Sequence, residues 1–226
     1  MTPYAQGKRW TLWHADCLDV LAAGLIPADA AIVSDVPYGM GWDVDTTRFG
    51  GGSPESVAKR GAGTDRRVVV ANDDKPFDPA PWLGFERVVL FGCNHFGQRL
   101  PVGTTLVWLK RNDAAFGSFL SDAELAWMKG GHGVYCYREF FTNPDREHPT
   151  QKPIGLMRWC IDKAKVEPCG LVVDPYAGSG STGVAALASG RRFYGVETEA
   201  AYLPIIARRL AQAESDGVQG TLFGAP

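Results

Sequence analysis

The chain has 226 residues and no run of eighteen or more apolar ones, which excludes a helix spanning a membrane. The opening stretch "MTPYAQGKRWTLWHADC" has no apolar signal core, so export is not expected. Cysteine is sparse. Cys17, Cys93, Cys136, Cys160 and Cys169 stand singly, no C-x-x-C pair occurs, and an odd count argues against a disulfide framework. A reducing compartment, the cytoplasm, is therefore expected. The four histidines are isolated from one another, so no structural zinc site and no other metal is expected. Net charge is small as well, at −2. That value neither marks nor excludes a nucleic-acid partner, because a local basic patch can sit on a nearly neutral protein.

What is present suits one α/β domain with a full core, expected over residues 1–214. Apolar residues make up 45% and charged residues 21%. The chain alternates between strand and helix patterns. "RWTLWHAD" reads as a strand ending at Asp16, and "CLDVLAAGL" has helical spacing at Leu18, Leu21 and Leu25. "DAAIVSD" is a short apolar strand ending at Asp35. "RVVVAND", "ERVVLFGCNHF" and "TTLVWLKR" are Val-rich and nearly continuous in apolar character, as strands buried on both faces are. A helix is expected over 154–165, with Pro153 at its first position. "GLVVDPYAGSGSTGVAALASG" reads as strand, glycine turn and helix, "RRFYGVE" as the next strand, and "AYLPIIARRLAQAE" as a last helix. Residues 43–67 are rich in Gly, Ser, Thr and charge without apolar period, which predicts a long mobile loop. Residues 215–226 read as a disordered tail.

In "VVDPYAGSGSTG" an acid closes a strand, and Gly178, Gly180 and Gly183 precede or open a helix. Glycine lets backbone approach a ligand closely, and a helix N-terminus favours electron-rich groups. A tight strand-to-helix connection is the competing reading. No Lys precedes Ser181 or Thr182, so this is not a triphosphate-binding P-loop. Glu197 closes the following strand, about twenty residues on, where a doubly wound sheet positions a carboxylate for ribose hydroxyls. Asp174 would repel a pyrophosphate and attract an ammonium. Adenosine joined to a cationic amino acid fits these demands, which points to S-adenosylmethionine.

Three segments carry a resemblance. "DPYAGSGSTG" (174–183) resembles the cofactor loop of DNA amino-methyltransferases. "DVPYG" (35–39) is similar to their catalytic [DNS]-P-P-[YF] tetrad, and "HPTQKPIGLMRWCI" (148–161) is similar to the segment preceding their cofactor loop. The tetrad comes first and the cofactor loop last, an order that resembles the permuted β-class. The resemblance implies a Rossmann-like, mostly parallel seven-stranded sheet with one antiparallel strand, helices on both faces and a circularly permuted motif order. It implies methyl transfer from S-adenosylmethionine to the exocyclic amine of a flipped-out adenine in double-stranded DNA, often within a restriction-modification setting. Cytosine as the target, and a catalytically weak homologue that binds DNA or cofactor, are the alternatives.

On this reading Asp35 and the main-chain carbonyl of Val36 accept hydrogen bonds from the amine, which localises the nitrogen lone pair toward the sulfonium methyl. Pro37 fixes the turn, and Tyr38 is exposed so that its ring can stack on the flipped base. Val36 departs from the family's proline. It keeps the carbonyl, loses the fixed φ and adds an N–H. By resemblance the cofactor site takes in Asp174, Pro175, Ala177, Gly178, Gly180, Thr182 and Glu197. Asp16 either touches the adenine of the cofactor or caps the helix that follows it. His148, Thr150 and Lys152 are candidates for the methionine carboxylate, with Lys152 the best because a carboxylate needs a cation. Lys59, Arg60, Arg66 and Arg67, in the 43–67 loop, are candidates for DNA phosphates, against the reading of a solvated surface. Lys110 and Arg111 are added from a strand end. Asp73 and Asp74 read as a turn. "QGTLF", Gln219 to Phe223, resembles the peptide by which bacterial DNA-acting proteins dock on the replication sliding clamp.

Overall fold

The computed structural model describes residues 1–40, 73, 75–117, 121–140 and 151–222. Eight strands form one sheet in the order β1-β2-β8-β7-β3-β4-β6-β5. They are β1 Ala5–Gln6, β2 Trp10–His14, β3 Ala31–Ser34, β4 Arg87–Phe91, β5 Gly103–Leu109, β6 Ala123–Arg138, β7 Leu171–Asp174 and β8 Arg192–Glu197. β2, β8, β7, β3 and β4 are mutually parallel. β6 doubles back at Gly130 and Gly131, both at positive φ (83° and 65°). Its first arm sets Met128 opposite Thr104 and Ala123 opposite Leu109, antiparallel to β5, and also runs antiparallel to β4. Its second arm sets Val134 opposite Thr105 and Arg138 opposite Leu109, parallel to β5 on the other side. The expected seven-stranded core with one antiparallel strand is therefore present. The short β1, antiparallel to β2, and the second arm of β6 extend its two edges.

Period-two alternation divides the buried strand residues between two cores. Ala31, Val33, Val89 and Phe91 face one side, where Leu156, Met157, Ala186, Ile206 and Leu210 of three helices cover them. Those helices are α3 Ile154–Lys163, α4 Ser181–Ala188 and α5 Leu203–Leu222. Ile32, Val88, Leu90 and Val173 face the other side, under Trp82, Phe85, Phe96 and Val20. There α1 Cys17–Ala22 and the short α2 Cys93–Phe96 lie. Gly183 is required by packing: a Cβ there would stand 2.4 Å from Leu210 and 2.6 Å from Phe193.

Three boundaries differ from the sequence reading. α3 stops at Lys163, because Lys165 takes a left-handed φ of 53°. Pro153 caps that helix rather than opening it. The predicted tail from Ser215 is helical as far as Leu222. That last helix is anchored where Glu214 accepts the Lys8 and Arg9 N–H groups (3.1 and 2.6 Å), and a Gln212–Asp216 side-chain bond supports the next turn. Phe223, the last apolar anchor of the clamp-like peptide, lies outside the described residues, as does the 43–67 loop.

From β7 the chain turns toward β8, and from β3 toward β4, so the order reverses between β7 and β3. Open α/β sheets bind ligands at that crevice, beyond the carboxyl ends of their strands. Asp16, Asp35, Asp174 and Glu197 stand at or just past the carboxyl ends of β2, β3, β7 and β8.

Candidate active site

The turn after β3 is built around Tyr38. Val36 is buried in the core on the α1 side. The Tyr38 hydroxyl donates to Asp35 Oδ1 at 2.8 Å, and its ring stacks on His95 with centroids 5.1 Å and planes 12° apart. Gly92, at φ 77°, leaves room for that ring, since a Cβ there would come within 2.1 Å of it. The expectation of an exposed Tyr38 is thus corrected. The ring is half-buried, because its hydroxyl has a carboxylate partner and His95 covers one face. Asp73 does more than turn the chain. Its Oδ1 accepts from the N–H groups of Gly39 (2.7 Å) and Met40 (3.3 Å), fastening the segment that follows the tetrad.

Lys152 lines the same cavity as the glycine turn and is paired with the tetrad. Its side chain is only 6% exposed, with Nζ 2.5 Å from Asp35 Oδ2 and 3.0 Å from Glu124 Oε2. Glu124 Oε1 in turn accepts from Lys110 Nζ at 2.8 Å. A buried ammonium needs carboxylate partners, and Asp35 and Glu124 supply them to Lys152. Lys110 is likewise an ion-pair partner inside the site rather than a free strand-end cation. Arg111 donates to the Ser121 carbonyl at 3.2 Å, on the loop beyond β5. Burial pushes the Asp35 carboxyl up, against the pull of Lys152. Burial works on Glu124 in the same sense, but Lys152 and Lys110 outweigh it and hold Glu124 down at about 2. Burial opposes the charge of Lys152, and Asp35 overcomes it and keeps Lys152 well above the ordinary lysine value.

Across the crevice the glycine turn is held by uncharged donors. Asp174, 2% exposed, accepts from Ser34 Oγ and Thr182 Oγ1, both at 2.6 Å, and from the Tyr176 N–H at 3.1 Å. Burial raises its carboxyl to about 7. These bonds make Asp174 a brace joining β3, β7 and α4 at the cavity wall. Gly178 (φ 52°) donates its N–H to Glu197 Oε2 at 2.8 Å, and Glu199 donates to Oε1 at 2.8 Å. Gly180, at φ 75°, caps α4. Arg209 donates to the Ser179 carbonyl from α5. Asp16 accepts the Leu18 N–H at 2.8 Å and caps α1.

One cavity of about 600 Å³ joins both halves. Asp16, the tetrad residues 35–38, Lys152, Pro175, Ala177, Gly178, Thr182 and Glu197 line it together with Asp174. Gly180 stands beside it, capping the helix whose first residues face it. Lys110 and Glu124 line the same wall. Lys59, Arg60, Arg66, Arg67, His148 and Thr150 fall outside the described residues. Sequence reasoning missed Glu124 and the fastening role of Asp73. The available signal for Glu124 was an acid within the apolar strand "AELAWM", where an unpaired charge would be costly. Among the described residues no cluster suited to a metal occurs, and no helix is long and apolar enough to cross a membrane.

Residues 132–208 match the DNA methylase family model, a stretch that contains Lys152, the glycine turn and Glu197. That match is to part of the chain, and over it the chain is similar to the DNA methylases. It is 48% identical over 63 residues, 28% of the chain, to the DNA adenine methyltransferase YhdJ of Escherichia coli (strain K12). The segments shared with such curated relatives span only 21–33% of those relatives' own length. The fold is that of the M1.HpyAVI–SAM complex (TM-score 0.55, 19% identity, 89% of this chain and 98% of that one). It is also that of the cytosine-N4-specific PvuII DNA methyltransferase (TM-score 0.58, 14% identity, 99% and 96%). The family match covers the glycine turn and Glu197, while Asp35 and Glu124 lie before it.

Proposed function

We propose that this protein transfers a methyl group from S-adenosylmethionine to the exocyclic N6 amine of adenine in double-stranded DNA. The observation that carries the reading is the shared cavity. Asp35 opens into the same space as the glycine turn and Glu197, so an amine held at one end meets a cofactor held at the other. The residues suit that cofactor. Gly178 and Gly180 take positive φ and keep side chains off the turn, the first residues of α4 line the cavity, and Glu197 stands where a ribose would. Carboxylates at Asp16, Asp35 and Glu197 favour a cationic ligand. When bound, the cofactor supplies an electrophilic methyl on a sulfonium.

The chain's own residues orient the acceptor. An aromatic amine is a poor nucleophile because its lone pair is delocalised into the ring. Asp35 and the Val36 carbonyl accept the amine hydrogens, drawing the lone pair out of conjugation, and Asp35 takes the proton that the methylated nitrogen releases. Tyr38, backed by His95, offers its remaining face to the base. Duplex DNA hides the amine, so the base must be flipped out. Contacts to phosphate from Lys59, Arg60, Arg66 and Arg67 belong to the same reading. Incubation with DNA and tritiated-methyl cofactor, followed by hydrolysis and chromatography, tests it. N6-methyladenine is the expected product. N4-methylcytosine would move the target to cytosine, and no incorporation would overturn the reading.

A further inference from the structure

Glu124 sits on the first arm of β6, on an element that holds neither Asp35 nor Lys152, yet it reaches the Lys152 ammonium at 3.0 Å. Its Oε2 is buried, and among the described residues no donor is aligned on it, so this contact is one of charge. The carboxylate is divided between two cations, Lys110 on Oε1 and Lys152 on the Oε2 side. The four groups alternate in sign from Lys110 through Glu124 and Lys152 to Asp35. We propose that Glu124 is a positioning residue for methyl transfer: it shares the Lys152 charge, so that Lys152 fixes Asp35 through Oδ2 without neutralising it. This rests on the methyl-transfer reading given above.

The physical argument compares three arrangements. Without Lys152, a carboxylate buried beside Glu124 and Asp174 takes up a proton and ceases to accept from the amine. With Lys152 but without Glu124, an ammonium 2.5 Å away bears on Asp35 alone and weakens it as an acceptor. With both, Lys152 opposes the upward push of burial on Asp35 and holds it through Oδ2, and the Oδ1 that accepts from Tyr38 keeps a lone pair for an incoming amine. Among the described residues the charged and titratable groups acting on Asp35 are Lys152 from the segment before α3, Glu124 from β6 with Lys110 of the β5 end behind it, Tyr38 from its own turn, and Asp174 from β7.

The two neighbours pull the Asp35 titration in opposite directions, and a merely structural role would not. Carboxyl NMR of the full chain with labelled aspartate reads it without cofactor or DNA. Glu124→Gln is expected to lower the Asp35 midpoint by about one pH unit, and Lys152→Met to raise it by about 1–3 units. Lys152→Arg should leave it near the wild-type value. With DNA and cofactor at pH 8, Glu124→Gln should cut kcat about tenfold, as a weakened charged hydrogen bond would. The acid limb of its pH profile should move down, with cofactor affinity unchanged. A Glu124→Gln midpoint that stays or rises overturns the proposal, as does a wild-type kcat in that variant. If the titrations move as expected while the wild-type chain methylates no DNA, the charge sharing is supported and the methyl-transfer reading is what fails.

Discussion

The two halves of the cavity solve the same problem, a carboxylate buried at a strand end, by opposite means. At Asp174 the partners are two hydroxyls and one peptide N–H, all uncharged, and burial pushes the acid up to about 7. At Asp35 the principal partner is a buried ammonium, itself shared with a second carboxylate. The first arrangement tolerates a proton; it is scaffolding. The second sets a cation against the upward push of burial, at the residue proposed to accept the amine's proton. The same side chain thus serves architecture or chemistry according to whether its neighbours carry charge.

The sharpest way to break this comparison is to remove each carboxylate. Asp35→Ala is expected to lower methyl transfer at least about a hundredfold, the scale on which aligned acceptors and donors act in a reaction. Cofactor affinity, measured by calorimetry, should hardly change. Asp174→Ala should do the reverse and act first on stability. It leaves the Ser34 and Thr182 hydroxyls buried without their partner, a loss of about 1–3 kcal/mol in denaturant unfolding. A variant of Asp35 that unfolds the chain, or one of Asp174 that leaves stability intact, would reverse the two roles.

Asp174 also gives the comparison a pH signature. Its folded pKa is raised above the ordinary aspartate value, so the folded state holds a proton that the unfolded state gives up. Its contribution to stability is full below about pH 4 and is lost as pH rises through about 7. Asp174→Asn removes that titration. The variant's unfolding free energy should vary less between pH 4 and 7 than the wild type's, and urea melts across that range check it.

The two halves also differ in how far the sequence reveals them. The half proposed to hold the cofactor spans Leu171 to Glu197, one strand-turn-helix-strand unit whose parts are neighbours in the chain. Its glycines, its helix start and its closing acids therefore read as one local pattern. The tetrad half draws Asp35 from β3, Glu124 from β6, Lys110 from the end of β5 and Lys152 from before α3. No spacing rule links residues 35, 110, 124 and 152. Only the sheet order, which puts β6 between β4 and β5, brings them together. Lys152 was legible as functional, but its partners were not. The strands β4 and β5 were legible from their apolar runs, of which that of β4 faces two cores. The Val-rich run 67–72 lies outside the described residues, and the doubling back of β6 rests on two glycines within a single apolar-polar stretch.

Gly92 tests the comparison from outside the charged groups. It makes room for Tyr38, which in turn donates to Asp35. Gly92→Ala places a Cβ 2.1 Å from the Tyr38 ring at a φ of 77°. The expected cost is about 1–2 kcal/mol of stability, together with reduced turnover as the ring is displaced. Turnover should fall while cofactor binding holds, because the strain enters on the tetrad side alone. Equal losses of both would mean that the halves are mechanically coupled.

The smallest effect is expected at Asp16, where architecture and binding are combined in one exposed side chain. It caps α1 and also lines the cavity. Asp16→Ala should lower stability by about 1 kcal/mol through the lost cap, while Asp16→Ser keeps a capping oxygen and should recover most of that. Cofactor affinity separates the roles. Serine restores the bond to the Leu18 N–H but not the negative charge at the cavity wall. If Asp16 contacts the cofactor, both variants bind it more weakly than wild type despite their different melting points. If it only caps, Asp16→Ser binds as wild type does, and the acid belongs with Asp174 on the architectural side of the comparison.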